Sequence, residues 1–170
     1  VAVLVAGCGS SNNSSSTSGG TNSAAAAATT AAASRYGAGG TKAAASTSGM
    51  AVVVKGSKLG TIMAAGPHRL TVYLFEGDHG AGSSACTGPC AAAWPPVTSA
   101  AAPVAGSGVN KALLGSITRS DGTRQVTYAG HPLYFFARDK DDGDAYGQGV
   151  NAFGASWYVI APSGSKVDSS

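Results

Sequence analysis

The feature that most restricts what this chain can fold into is that it repeats itself. Tyr73-x-Phe75-x-x-Asp78 recurs as Tyr134-x-Phe136-x-x-Asp139, and each copy then crosses a Gly-rich loop to a tryptophan, Trp94 or Trp157. The tyrosine-to-tryptophan separations are 21 and 23 residues. Upstream, Leu59-Gly60-Thr61-Ile62 recurs as Leu114-Gly115-Ser116-Ile117. Units this short cannot enclose a core of their own. The two copies, about 55–97 and 110–160, are therefore expected to pack on each other.

Between Met50 and Pro162 the chain alternates short apolar runs with Gly and Pro, the pattern of strands and turns. Leu70 to Phe75 reads as one strand, with aliphatics on one face and Tyr73 and Phe75 on the other, so both faces should be covered. Asp121-Gly122 is a hairpin signal. A two-residue loop there sets Ile117 opposite Val126 and also Arg119 opposite Arg124, an unfavourable pair that leaves a longer loop open. A second turn at Ala129-Gly130 brings Val126 against Leu133, with Pro132 tolerated near the start of its strand. The expected fold class is all-β: two tandem copies of a short β-meander unit packed into one small domain over 50–164, with a flexible C-terminus at 165–170.

The N-terminal part has a different character. Val1 to Gly7 is an apolar run ending in small residues before Cys8, and Val5-Ala6-Gly7-Cys8 resembles the cleavage site of a lipoprotein signal peptide. In such proteins the peptidase cuts before a cysteine whose sulfur carries a diacylglycerol. With no initiator Met and no basic segment ahead of it, the sequence is expected to begin inside that signal peptide, 1–8 being its remnant. Residues 9–49 are Ser, Thr, Asn, Ala and Gly with almost nothing large, Arg35 and Lys42 being the only charges and Tyr36 the only aromatic. Such a segment cannot bury enough apolar area to offset about 1–2 kcal/mol of backbone entropy per residue. It is expected to be a disordered tether with a reach on the order of 35 Å.

Charge narrows the partners. Charged residues make up 11 % of the chain and the formal net charge is +3, too little and too scattered for a nucleic-acid footprint. Lys55, Lys58, Arg69, Lys111, Arg119 and Arg124 are interleaved with polar and apolar residues and read as solvated strand faces. Beyond the first residues no apolar run is long enough for a membrane helix, so membrane association is assigned to the lipid on Cys8. An unidentified envelope protein or small ligand is the remaining class of partner.

The domain resembles a known group, the bacterial secreted-repeat lipoproteins with the motif Y-x-[FWY]-x-x-D, a family of unknown function. The resemblance runs from about 55 to 164. It rests on Val72 to Asp78, on Cys86-Thr87-Gly88-Pro89-Cys90-Ala91 with Trp94-Pro95-Pro96, and on Arg119-Ser120-Asp121-Gly122. It continues through Gln125 to Tyr128, Gly130 to Tyr134, Gly147-Gln148-Gly149 and Trp157. It implies an extracytoplasmic location and a tandem repeat, and no reaction.

Candidate sites divide into two readings each. Asp78 and Asp139 lie at equivalent strand ends, either as carboxylates sharing a site or as acceptors for their own loops' N–H groups. Tyr73, Phe75, Tyr134, Phe136, Trp94 and Trp157 either line a groove or form the core between the repeats. The acidic run Asp139 to Asp144 lacks the ligand, glycine and glutamate positions of an EF-type calcium loop. His68, His79 and His131 show no metal-ligand spacing, and no haem-attachment, nucleophile-elbow or phosphate-loop pattern occurs. No metal or cofactor is expected. Three cysteines in an exported chain leave one unpaired. Cys86 and Cys90 are neighbours, so they are expected to form a disulfide, structural in role because residues 79–97 contain no Lys or Arg and only His79 as a group that could activate a thiol. The leading expectation is a non-enzymatic, membrane-anchored binding or envelope-interaction module; the alternative is a redox or electron-transfer accessory using Cys86 and Cys90 or a bound metal.

Overall fold

In a computed structural model of the chain, residues 48–79 and 82–168 are described. Cys8 and the tether as far as residue 47 lie outside the described residues. The first half opens with the hairpin β1 (Ala51–Ser57) and β2 (Gly60–Ala65). Gly60 takes φ +91° in the turn, and the Ser57 hydroxyl accepts the Leu59 N–H there. A short β3 (Leu70–Thr71) adds to β2, and β5 (Val104–Ala105) lies parallel to β1, giving the order β3-β2-β1-β5. The second half repeats the meander as β6 (Leu114–Thr118), β7 (Arg124–Tyr128) and β8 (His131–Pro132). A third sheet joins β4 (Tyr73–Phe75), β10 (Ala155–Val159) and β9 (Asn151–Ala152). Helix is confined to one turn, α1 (Pro89–Ala93), with Pro89 at its first position, and a 3-10 turn at Lys111–Leu113.

Three expectations about local structure are corrected. The predicted strand Leu70 to Phe75 breaks at Val72, so that β3 serves the first sheet and β4 the third, although both faces are indeed covered. In the second hairpin Ile117 faces Gln125 and Ser116 faces Val126, one residue away from the two-residue-loop register. Arg119 and Thr123 close a three-residue loop instead: Arg119 N–H donates to Thr123 at 2.9 Å, Gly122 takes φ +80°, and Asp121 accepts from Thr123 N–H at 2.9 Å. This register removes the Arg119–Arg124 opposition. A one-residue slip also turns every side chain to the other face, which is why Arg119, expected in solvent, is buried. Third, Leu59–Ile62 and Leu114–Ile117 are not equivalent, since the former spans a turn and the start of β2 whereas the latter belongs to β6, the counterpart of β1.

The Ala129-Gly130 turn forms with both residues at positive φ, and Leu133 N–H donates to Val126 at 2.9 Å, the pairing expected from the sequence. The C-terminal residues expected to be flexible are held as far as Val167, whose N–H donates to Val159 at 2.7 Å. Lys55 is a further correction: it is 4 % exposed and its ammonium reaches Asp142.

Two apolar clusters fill the interior. One gathers Val52, Met63, Val72, Leu74, Val126 and Leu133 from both meanders; the other is built on Tyr73, Phe75, Trp94, Tyr134 and Trp157 with Cys86 and Cys90.

Candidate functional site

The second cluster gathers the aromatic residues of the repeated motif, with Phe136 packed against it, and its bonds cross between the copies. Tyr73 and Tyr134 meet at the centre, each N–H donating to the other's carbonyl at 2.9 and 3.0 Å. From this point the strands run out in opposite senses. Phe75 pairs with Trp157 on β10, and in the matching place Phe135 and Ala137 donate to Pro95 and Ala93 at 2.8 and 3.0 Å. The aromatic strand of each copy thus lies against the tryptophan segment of the other, as a pseudo-twofold axis between the two tyrosines requires.

Side chains obey the same axis. The Tyr73 hydroxyl donates to Asp139 Oδ2 at 2.6 Å and the Tyr134 hydroxyl to Asp78 Oδ2 at 2.7 Å. Each carboxylate uses its other oxygen on its own loop, seven residues ahead: Ala85 N–H donates to Asp78 Oδ1 at 2.7 Å and Tyr146 N–H to Asp139 Oδ1 at 3.1 Å. The rings form one column, Phe136–Trp94–Trp157–Phe75, with centroid separations of 4.2, 3.9 and 4.2 Å. Tyr73 and Tyr134 stand edge-on to Trp94 and Trp157 at 5.3 and 5.1 Å. Such ring pairs add about 0.5–1.5 kcal/mol each beyond the area they bury.

Burial raises the pKa of both carboxyls, against the hydrogen bonds from Ala85 and Tyr134 to Asp78 and from Tyr73 and Tyr146 to Asp139. Burial also pushes both phenols well above their ordinary range. The tyrosines therefore act as neutral donors, and neither is a base or nucleophile near neutral pH.

The two crossings differ in their surroundings. Asp139 is 4 % exposed, and its loop is closed by Lys55, whose ammonium lies 3.0 Å from Asp142 Oδ1. Asp144 folds back on the same loop, accepting from Lys140 and Asp141 N–H groups at 2.7 and 3.0 Å. Asp78 is half-buried and opens on a groove of about 450 Å³ lined by Leu74, Phe75, Glu76, Asp78, His131 and Lys166. Behind it Ser84 Oγ lies 2.7 Å from the Tyr134 hydroxyl and accepts from Arg119 at 2.7 Å. Arg119 also donates to Gln125 Oε1 and to the Cys86 carbonyl, each at 2.7 Å. The Cys86–Cys90 disulfide is present, with Cα atoms 5.2 Å apart, and both residues are buried. Cys90 lies in the first turn of α1. Among the described residues no group of three or more His, Cys, Asp or Glu is placed to hold a metal ion.

Sequence reasoning found the motif residues but missed Lys55, Ser84, Arg119 and Gln125. The basic neighbour that residues 79–97 lack is supplied by Arg119 from the other repeat. Its only local signal was the Asp121-Gly122-Thr123 loop that fixes its register.

This geometry defines a duplicated all-β unit whose two copies are locked by reciprocal contacts. The chain belongs to the family described as a secreted repeat of unknown function, whose model matches it twice, at residues 53–98 and 115–161. The family description places the domain outside the cytoplasm. No curated protein and no solved structure matches the chain.

Proposed function

We propose that this chain is a membrane-anchored extracytoplasmic lipoprotein: Cys8 carries the lipid, residues 9–49 form the tether, and the β domain is a non-enzymatic binding or envelope-interaction module. The observation that carries the non-enzymatic part is that the polar groups of the motif are bonded to one another. Tyr73 holds Asp139 and Tyr134 holds Asp78, so the side chains best suited to chemistry build the fold. Interaction then falls to the outer surface, where the groove beside Asp78 offers both signs of charge over an apolar floor. Burial of Cys86 and Cys90 supports a structural bridge over the redox alternative, because exchange needs access to a sulfur.

The anchoring half is tested in the precursor by Cys8→Ser. The expected result is transfer of the protein from the membrane fraction to the soluble one, or arrested processing, since one diacylglycerol supplies most of the affinity. Unchanged fractionation and mass would overturn it. Metal analysis and a visible spectrum of protein from its native host test the other half; a stoichiometric metal or a Soret band would move the assignment to electron transfer.

A further inference from the structure

The face that each repeat presents to the other is incomplete without it, and this has a consequence for assembly. Tyr73 finds its carboxylate on Asp139, 66 residues away, while the aspartate of its own copy is bonded to Tyr134. Phe75 stacks on Trp157 and Phe136 on Trp94, again across the copies. A repeat standing alone would leave a phenol and a carboxylate without partners and a tryptophan face bare. Nothing in these contacts requires the two repeats to belong to one polypeptide.

We propose that this face also accepts a repeat from a second copy of the chain, giving a dimer in which two molecules exchange their second repeats. Every crossed contact is remade in the exchanged form, so the two states differ in the connection between the repeats. That connection is anchored at both ends, with its longest hydrogen bonds in the middle. β5 and Ser107 are bound to the first repeat through Val104 N–H to Met50, Gly106 N–H to Val52 and Val54 N–H to Ser107, at 2.9, 2.7 and 3.2 Å. Leu113 is bound to the second repeat by its carbonyl, which accepts from Ala129 N–H at 2.8 Å. Between them run Gly108, Val109 and Asn110, with Gly108 at φ +77° and long hydrogen bonds from Val109 to Gly106 and from Asn110 to the Tyr128 hydroxyl, 3.2 and 3.3 Å. This is the natural hinge. A short flexible connection gives an effective concentration of about millimolar order. The closed monomer therefore dominates in dilute solution, and the exchanged dimer accumulates where copies are concentrated. The inference concerns the inter-repeat face alone and stands whether or not Cys8 is lipidated.

Two full-length variants test it together. Trp94→Ala damages the first repeat and Trp157→Ala the second, so neither chain alone can assemble an undamaged unit, folded or not. Unfolded together and refolded at high concentration, they are expected to give a one-to-one heterodimer by native mass spectrometry. The heterodimer contains one intact unit, seen as a thermal transition at the wild-type Tm with about half the wild-type amplitude. If the mixture yields only the sum of the two parents, the proposal is overturned. Deleting Gly108 and Val109 provides a second measurement: light scattering should find the variant as a folded dimer, whereas a folded monomer would show that exchange is not what a shortened hinge brings about.

Discussion

The two ends of the crossed core solve the same problem with different chemistry. Around Asp139 the loop to the tryptophan is held by charge and close packing. Lys55 reaches in from β1, and Gly147 lies so near the rings that an added Cβ would stand 2.7 Å from Trp94 and 2.8 Å from Tyr73. Around Asp78 the equivalent loop carries Cys86 where the other has Gly147, each directly after the residue whose N–H caps its aspartate. There the closure is covalent, with Arg119 tying the Cys86 carbonyl to the opposite meander. A bridge and an ion pair made by a buried lysine are thus interchangeable ways to fix a loop whose backbone course is set by the motif.

The comparison can be broken at its shared centre. Trp94 and Trp157 are 1 % and 0 % exposed and stack at 4°, so Trp94→Ala and Trp157→Ala should each cost about 3–5 kcal/mol in urea unfolding. A clear inequality between them would refute the equivalence of the two halves. The phenols sharpen the contrast. Tyr73→Phe strands a carboxylate closed off from water and should cost about 2–3 kcal/mol, whereas Tyr134→Phe leaves Asp78 next to a groove and Ser84 and should cost about 1 kcal/mol. Removing the bridge by Cys86→Ala with Cys90→Ala should cost about 2 kcal/mol, the chain-entropy value for so short a loop. That loss should show as faster exchange of the amides between Asp78 and Trp94, with those after Asp139 unaffected.

How far this could be read beforehand depended on the range of each interaction. The duplication and the Ala129-Gly130 turn are written locally, in residue types a few positions apart. The choice of partner is not: nothing near Tyr73 distinguishes Asp78 from Asp139, and only packing of the whole chain selects the distant one. The register of β6 and β7 lay between these cases, since an Asp-Gly pair fits two loop lengths and the slip decided whether Arg119 met solvent or Ser84. Lys55 was misread because charge in an alternating strand ordinarily marks the wet face, and its acceptors, the Arg69 carbonyl and the Asp142 carboxylate, lie 14 and 87 residues further along the chain.

Acidity probes the same two carboxyls. Burial raises both above their ordinary 3.8 in the folded chain, so between the unfolded and folded values the native state binds more protons than the unfolded one. This contribution is complete below the unfolded value and is lost as pH rises through the folded one. Asp139→Asn and Asp78→Asn should therefore lower the dependence of stability on pH over that window, measured as the midpoint of urea unfolding; a wild-type profile rising with pH there and unaltered by either variant would contradict it. The smallest effect is expected at Lys166, whose pair with Glu76 is more than one-third exposed on both sides. Lys166→Ala should leave the midpoint of urea unfolding almost where it is.

The crossing of the strands also dictates the order of events when the chain folds. β4 is made early but its hydrogen-bonded neighbour β10 lies more than eighty residues further on, and the Trp94 ring waits for Trp157. A polypeptide delivered N-terminus first must carry β4 and Trp94 without these partners until β10 has arrived. Contacts of such sequence separation fold slowly, because the loop must close before any contact rewards it. Both tryptophan environments should then appear in one kinetic phase, and a chain stopped short of residue 155 should show neither.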